Sequence, residues 1–321
     1  MIRQQLSPKA LDIIRTLALV RVATSHQIER LHFTTGTSLS RVRMRNIALR
    51  KLKDLEVVAR WRVPNGGLGG GSDPYYYALD RAGQMIAMPD KANYWREPYP
   101  EASFLKHRLA VTELYVTCRE RSNDEWMPTL EQFEFEPTCW RRVATRYNKD
   151  HILRPDAFLV LANDGKRRPR FIEIDMGTER LERIGEKVKL YLDYSYLGRE
   201  QERFDGLFPR VVFLVLDEDR KRRMEAYIRK LLHQLSPYRD LGPIFTILLQ
   251  QDDIWIAHKT DAGFGSEVIL LSVVQSVSGI FLLAKRVSIC VQSYICVQPT
   301  NGTRVSSNNG SFVRIWPDSL V

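Results

Sequence analysis

Three carboxylates and one lysine hold most of the chemical potential of this chain: Asp156, Glu173, Asp175 and Lys187. They fall in a stretch that runs Arg154-Pro155-Asp156, an apolar segment to Leu161, Asn163-Asp164-Gly165, then Arg170-Phe-Ile-Glu173-Ile-Asp175. Side chains alternate along a strand, so Glu173 and Asp175 project from one face about 7 Å apart. Asn163-Asp164-Gly165 is a hairpin signal that folds the strand led by Asp156 back against the strand carrying the other two. Three carboxylates brought together in this way suit a hard divalent ion, Mg²⁺ or Mn²⁺, bound through oxygen with retained water. Such an ion polarises a phosphate and lowers the pKa of an attacking water. A lysine is the usual companion, because charge builds on phosphorus during the reaction. The following segment reads as a helix with the apolar stripe Leu181, Ile184, Val188, Tyr191 and Ser195. At about 100° per residue, Lys187 flanks that stripe and Lys189 points away. A plainer reading stands beside this one: acidic residues at strand ends pair with Arg170, Arg180 and Arg183 and contribute little.

The elements that must position these residues are readable on both sides. Ala102 to Val116 patterns as a helix with Leu105, Leu109, Leu114 and Val116 on one side and Glu113 beside them. Glu113 is either a solvated carboxylate or an inward one near the metal. Short strand-like pieces follow between Trp126 and Phe135, and Arg210–Leu216 is a fully apolar strand. A helix over Glu218–Leu235 and strands at Ile244–Leu249 and Ile254–Ala257 complete the set. Helices between apolar strands predict an α/β domain around a central mixed sheet over residues 101–260.

The N-terminal segment differs in charge. Residues 1–63 hold 13 Lys/Arg against 4 Asp/Glu, or +9 of the formal +10 of all 321 residues. A positive field concentrated in one small module points to a polyanion, most often nucleic acid. Ser7-Pro8 is a cap followed by proline at the first helical position. A second helix begins near Thr24-Ser25 with Ile28 and Leu31, and a third spans Ser38–Leu55. The third interleaves Leu39, Val42, Ile47, Leu49, Leu52 and Leu55 with Arg41, Arg43, Arg45, Arg50 and Lys51. Val57–Val63 and Tyr75–Leu79 alternate as strands around the glycine-rich Pro64–Pro74, and Asp80 caps another helix. This order predicts a winged helix-turn-helix over residues 1–90, so the overall class is α+β followed by α/β. The third helix would enter the major groove and present its arginines to phosphates and guanine edges, with Arg60 and Arg62 on the wing. The alternative is a winged helix used for protein contacts. Residues 91–100, with Pro98 and Pro100, read as a linker.

Other classes are disfavoured. Cys118, Cys139, Cys290 and Cys296 show no CxxC spacing, which fits a reducing cytoplasm rather than a disulfide or zinc framework. No charged-then-apolar leader pattern opens the chain. No GxxxxGK[ST] loop is present, so no nucleotide cofactor is expected. None of the six histidines forms a His-x-His pair, which argues against a tyrosine relaxase, and His151-Ile-Leu-Arg154 leads into a proline rather than a helix. In the low-charge tail, 261–321, Val268 to Ala284 is short for a membrane span and broken by Gln275, Ser276, Ser278 and Gly279. Extra strands or an appendage are expected there.

Pro155-Asp156…Glu173-Ile-Asp175 resembles the PD-(D/E)xK nuclease pattern, with Asp175 where lysine normally stands. The resemblance implies that Lys187 supplies the lysine from the next helix and that Glu113 is the extra helical glutamate. The larger order is similar to the replication-relaxation family of plasmid and integrative-element proteins: an N-terminal winged helix, Phe104-Leu-Lys-His107-Arg-Leu-Ala-Val, Arg154-Pro-Asp156-Ala, and Ile172-Glu173-Ile-Asp175-Met-Gly-Thr178-Glu179 before a Lys/Tyr helix. It implies a role in replication or mobilisation of element DNA, through nicking or relaxing it by metal-dependent hydrolysis. The alternative expectation is a sequence-specific DNA-binding replication or transcription factor with an inert nuclease-like domain. Double-stranded DNA is the expected partner, and a homodimer is left open.

Overall fold

Local capping chemistry sets the first elements. In the computed structural model, which describes residues 2–62, 75–90, 102–125, 127–144, 150–235, 244–251, 267–276 and 279–288, Ser7 caps α1 (Pro8–Val20). Its hydroxyl accepts from the Ala10 amide at 3.2 Å. Ala10, Ile13, Ile14 and Leu17 then fall on one buried face. Arg21, at φ 65°, turns the chain into β1 (Val22–Thr24). Thr24 and Gln27 form a reciprocal capping box on α2 (Ser25–His32), satisfying two amides that a helix start leaves open. Thr37 caps α3 (Ser38–Asp54). β2 (Val58–Arg62) and β3 (Tyr75–Leu79) pair antiparallel, and β1 joins the other edge of β3. Asp80 caps α4 (Arg81–Ala87), which closes onto β2 through Gly83. A Cβ there would stand 2.2 Å from the Val57 carbonyl oxygen, so the close approach requires glycine.

The apolar residues of α3 are unequally covered. Only Leu49 and Leu52 are fully buried, whereas Leu39 is 84% and Ile47 54% exposed. Arginines at 41, 43 and 45 interrupt the apolar positions, and the core of this segment closes around the last two turns of the helix. The Pro64–Pro74 turn, the 91–100 linker and the strand at Ile254–Ala257 lie outside the described residues.

The second half is built on a five-stranded mixed sheet in the order β10-β9-β8-β7-β4. α5 (Ala102–Arg121) leads to β4 (Thr129–Phe135), then to the small antiparallel pair β5 (Arg141–Ala144) and β6 (Asp150–Leu153). β7 (Ala157–Asn163) and β8 (Lys166–Ile174) form the expected hairpin, whose turn residues Asp164 and Gly165 sit at φ 50° and 71°. These positive values are what a two-residue turn between right-twisted strands demands. After β8 come α6 (Leu181–Ser195), α7 (Arg199–Arg203), β9 (Arg210–Val215), α8 (Glu218–Gln234) and β10 (Phe245–Leu249). β8, β9 and β10 run parallel, each linked by helices, and β4 and β7 add antiparallel strands at the other edge. Phe158, Phe171, Val211 and Phe213 pack beneath α6 and α8, and Ala157, Leu159, Ile172 and Val212 pack beneath α5.

Residues 1–258 cluster as one compact unit and 259–321 as another. Within the first, α5 is tied to the N-terminal segment: the Thr112 hydroxyl donates to the Val22 carbonyl at 2.9 Å and the Gln27 amide to the Leu109 carbonyl at 3.1 Å. In the second, β11 (Glu267–Ser276) and β12 (Gly279–Ser288) pair antiparallel, in line with the extra strands expected there. Among the described residues, no helix is long and apolar enough to cross a membrane.

Candidate functional site

Asp156 and the end of β8 meet because β7 and β8 are antiparallel, which puts the start of one strand beside the finish of the other. The Asp156 amide donates to the Ile172 carbonyl at 2.9 Å, and its Oδ2 accepts from the Ile174 amide at 2.6 Å. His107 Nε2, on α5, lies 3.2 Å from the same oxygen. Glu173 and Asp175 leave one face of the strand, as alternation requires, yet each meets a different helix. On α6, Lys187 Nζ donates to Glu173 Oε2 at 2.9 Å and the Tyr191 hydroxyl to Oε1 at 2.7 Å. On α8, Arg220 Nε donates to Asp175 Oδ2 at 2.5 Å, while the Gly177 amide fills Oδ1 at 3.1 Å. A second guanidinium nitrogen of Arg220 donates to the Glu179 carbonyl at 2.5 Å.

Each carboxylate therefore has one basic side chain as partner, delivered by α5, α6 or α8 respectively. Glu173 and Asp175 are buried. Burial pushes the Glu173 carboxyl well above the usual carboxylate range, against the pull of Lys187. Burial also acts to lower Lys187, but the charge and hydrogen bond of Glu173 outweigh it, so the ammonium is held protonated. The hydrogen bond to Asp156 raises His107 above its ordinary value, with burial opposing. Tyr191 is raised strongly by burial and by Glu173, which keeps its phenol a donor.

Beside this cluster opens a cleft of about 650 Å³ lined by Lys106, His107, Asp175, Thr178, Glu179 and Lys187 over the apolar floor of Ile174, Met176 and Leu216. It lies at the carboxyl ends of β8 and β9, the place where open α/β sheets bind ligands. Its polar lining sets Lys106, His107 and Lys187 beside the Asp175 and Glu179 carboxylates and the Thr178 hydroxyl.

The three carboxylates expected to share a divalent ion each face a different basic partner in this arrangement. Both oxygens of Glu173 and both of Asp175 already accept hydrogen bonds. Among the described residues, no three His, Cys, Asp or Glu side chains assemble as metal ligands. Glu113 is also elsewhere. It receives the Gln27 amide at 2.9 Å and pairs with Arg30, which bridges on to Glu120. Six residues along α5 from His107, it is turned about 120° round the helix and displaced about 9 Å along it.

The basic residues of the N-terminal segment divide into two groups. Glu29 on α2 takes Arg45 at 2.5 Å and lies 3.7 Å from Arg41, so these two arginines are occupied inside the fold. Arg43, Arg50 and Lys51 on α3, and Arg60 and Arg62 on β2, are exposed. Both β2 arginines lie over the Tyr75 ring, at 4.2 and 5.3 Å from its centroid.

Reasoning from sequence placed His107 in a family motif without a role at the site, and passed over Arg220. Arg220 sits in the run Arg220-Lys221-Arg222-Arg223, which resembles a solvated face. The available signal was its spacing, four residues before buried Met224 and eight before Ile228, which continues the apolar stripe inward.

A family model described as Replication-relaxation matches residues 14–211, more than half of the chain. No curated protein and no solved structure matches.

Replacing Arg220 with Met should lower stability by about 3–5 kcal/mol, because Asp175 is left buried and unpaired. Adding Asp175→Asn should recover much of that loss in urea melts, and a double variant no better than the single would refute the pairing. For His107 the folded pKa is raised, so its contribution is complete below the unfolded value of about 6.5 and is lost as pH rises through the higher folded value. The stability gap between the native chain and His107→Gln should therefore narrow from about pH 6 upward, and a gap that widens would reverse the assignment.

Proposed function

Because the chain belongs to the replication-relaxation family, we propose that it binds duplex DNA during replication or relaxation of plasmid or other mobile-element DNA. In this reading residues 1–90 are a winged helix-turn-helix, α3 is the recognition helix and β2–β3 the wing. The carrying observation is the exposure of Arg43, Arg50 and Lys51 on α3 together with Arg60 and Arg62 on β2, with no carboxylate among the described residues paired to them. Duplex DNA rewards such an array, since each phosphate neutralised releases condensed counterions. The nuclease-like second half acts as an anion-binding partner to this module, with its carboxylates neutralised by His107, Lys187 and Arg220.

A second reading keeps catalysis. Asp156, Glu173 and Lys187 form one cluster beside a cleft with Lys106 at its rim, as a phosphodiester site would require. It asks a divalent ion to displace the protein cations before it can bind.

Arg43→Ala with Arg50→Ala should weaken duplex binding and flatten its salt dependence by about one unit of slope for each phosphate no longer neutralised. Arg45→Ala should act mainly on stability, by releasing Glu29. Unchanged affinity and slope in the double variant would remove the basis of the DNA-binding reading. Incubation of supercoiled plasmid with Mg²⁺, Mn²⁺ or EDTA should leave it intact in each case. Nicking that needs the metal and disappears in Asp156→Ala and Glu173→Ala would establish the second reading in place of a non-catalytic one.

A further inference from the structure

At about 100° per residue, Leu39, Arg43, Ile47 and Arg50 share an arc of about 80° on α3. The opposite side carries buried Leu49 and Leu52 and the two arginines facing Glu29. Leu39 is 84% exposed and Ile47 54% exposed, and Met44 beside them is also 54% exposed. Single exposed apolar side chains are common on soluble proteins. Here two flank the exposed arginines on one arc, on the side of the helix turned away from the core. A phosphate backbone rewards the arginines and offers nothing to a leucine or an isoleucine. The major groove contains one apolar feature that does, the C5-methyl group of thymine.

We propose that Leu39 and Ile47 are specificity-determining residues that contact thymine methyl groups in the bound duplex, with Arg43 between them at a guanine edge or a phosphate. This rests on the DNA-binding reading above. The two apolar residues are eight positions apart, about 12 Å along the helix axis, which spans more than three base steps. The preferred sequence therefore carries thymines at two separated steps rather than in one run. The excess positive charge of residues 1–63 selects a polyanion for this surface over a second copy of the chain, whose matching face would be equally basic.

The test uses the full chain. Duplexes of about 20 bp retained from a randomised pool are resynthesised with uracil in place of thymine, which deletes the methyl group and leaves base pairing unchanged. The native chain should bind the uracil versions about fourfold more weakly for each recognised methyl removed. Leu39→Ala and Ile47→Ala should each lose part of that discrimination, and the double variant should bind both versions alike with its salt slope unchanged. Both substitutions are at exposed positions, and a thermal melt matching that of the native chain verifies folding. Equal affinity of the native chain for the thymine and uracil versions overturns the inference while leaving DNA binding in place. If no duplex is retained from the pool, the DNA-binding reading itself falls. Sedimentation that shows self-association abolished in Leu39→Ala would then assign the arc to an interface between copies and overturn the inference as well.

Discussion

Two carboxylates buried at the end of one strand constrain the whole second half of the molecule. An isolated charge away from water is costly by several kcal/mol, so Glu173 and Asp175 must each be met by a cation in good geometry. The strand cannot supply one, because its neighbours Ile172 and Ile174 face the other side. α6 and α8 must therefore lie where Lys187 and Arg220 can reach, and α5 where His107 reaches Asp156. The apolar stripes hold these helices on the sheet with broad tolerance in rotation and slide. The ion pairs remove much of that tolerance, since Arg220 contacts both Asp175 and the Glu179 carbonyl and is fixed at two points.

The second acidic residue of the strand is met under the same constraint. Asp175 adds negative charge to a face that already holds Glu173. Arg220 answers it from a segment 45 residues later. The lysine contributed by α6 answers Glu173 and borders Glu179 at 3.2 Å. The result is a set of paired charges at the carboxyl end of the sheet, with Lys106 beside them on the cleft lining.

What could be read from the sequence was what the sequence encodes locally. Ser7, Thr24 and Asp80 cap helices through neighbours three or fewer residues away, and Asn163-Asp164-Gly165 makes a turn by itself. The stripe from Leu181 to Ser195 is a helix under any tertiary arrangement. The choice of partners was not readable. That Glu29 captures Arg45, that Glu113 serves Arg30, and that Arg220 crosses to Asp175 depend on how helices from distant segments are laid down. Alternation correctly placed Glu173 and Asp175 on one face. It carried no information about which helix would cover each, or that Lys187 would answer one and Arg220 the other. The exposure of Leu39 and Ile47 was hidden for a similar reason: an apolar residue at helical spacing reads as core until the neighbouring elements are known to stop short of it.

The turn at Asp164-Gly165 has a consequence that reaches well beyond its two residues. It sets the pairing of Ala157 opposite Ile172, and so decides that Asp156 arrives at the last amide of β8. Side chains on a strand have a period of two, so one inserted residue that slid β8 by a single step would exchange its faces. Phe171 and Glu173 would then point toward α5, and Ile172 and Ile174 toward α6, leaving Lys187 facing hydrocarbon. A short loop at the far end of two interior strands thus acts as a reading frame for the cluster at the other end, and length there is under tighter constraint than the identity of any exposed residue around it.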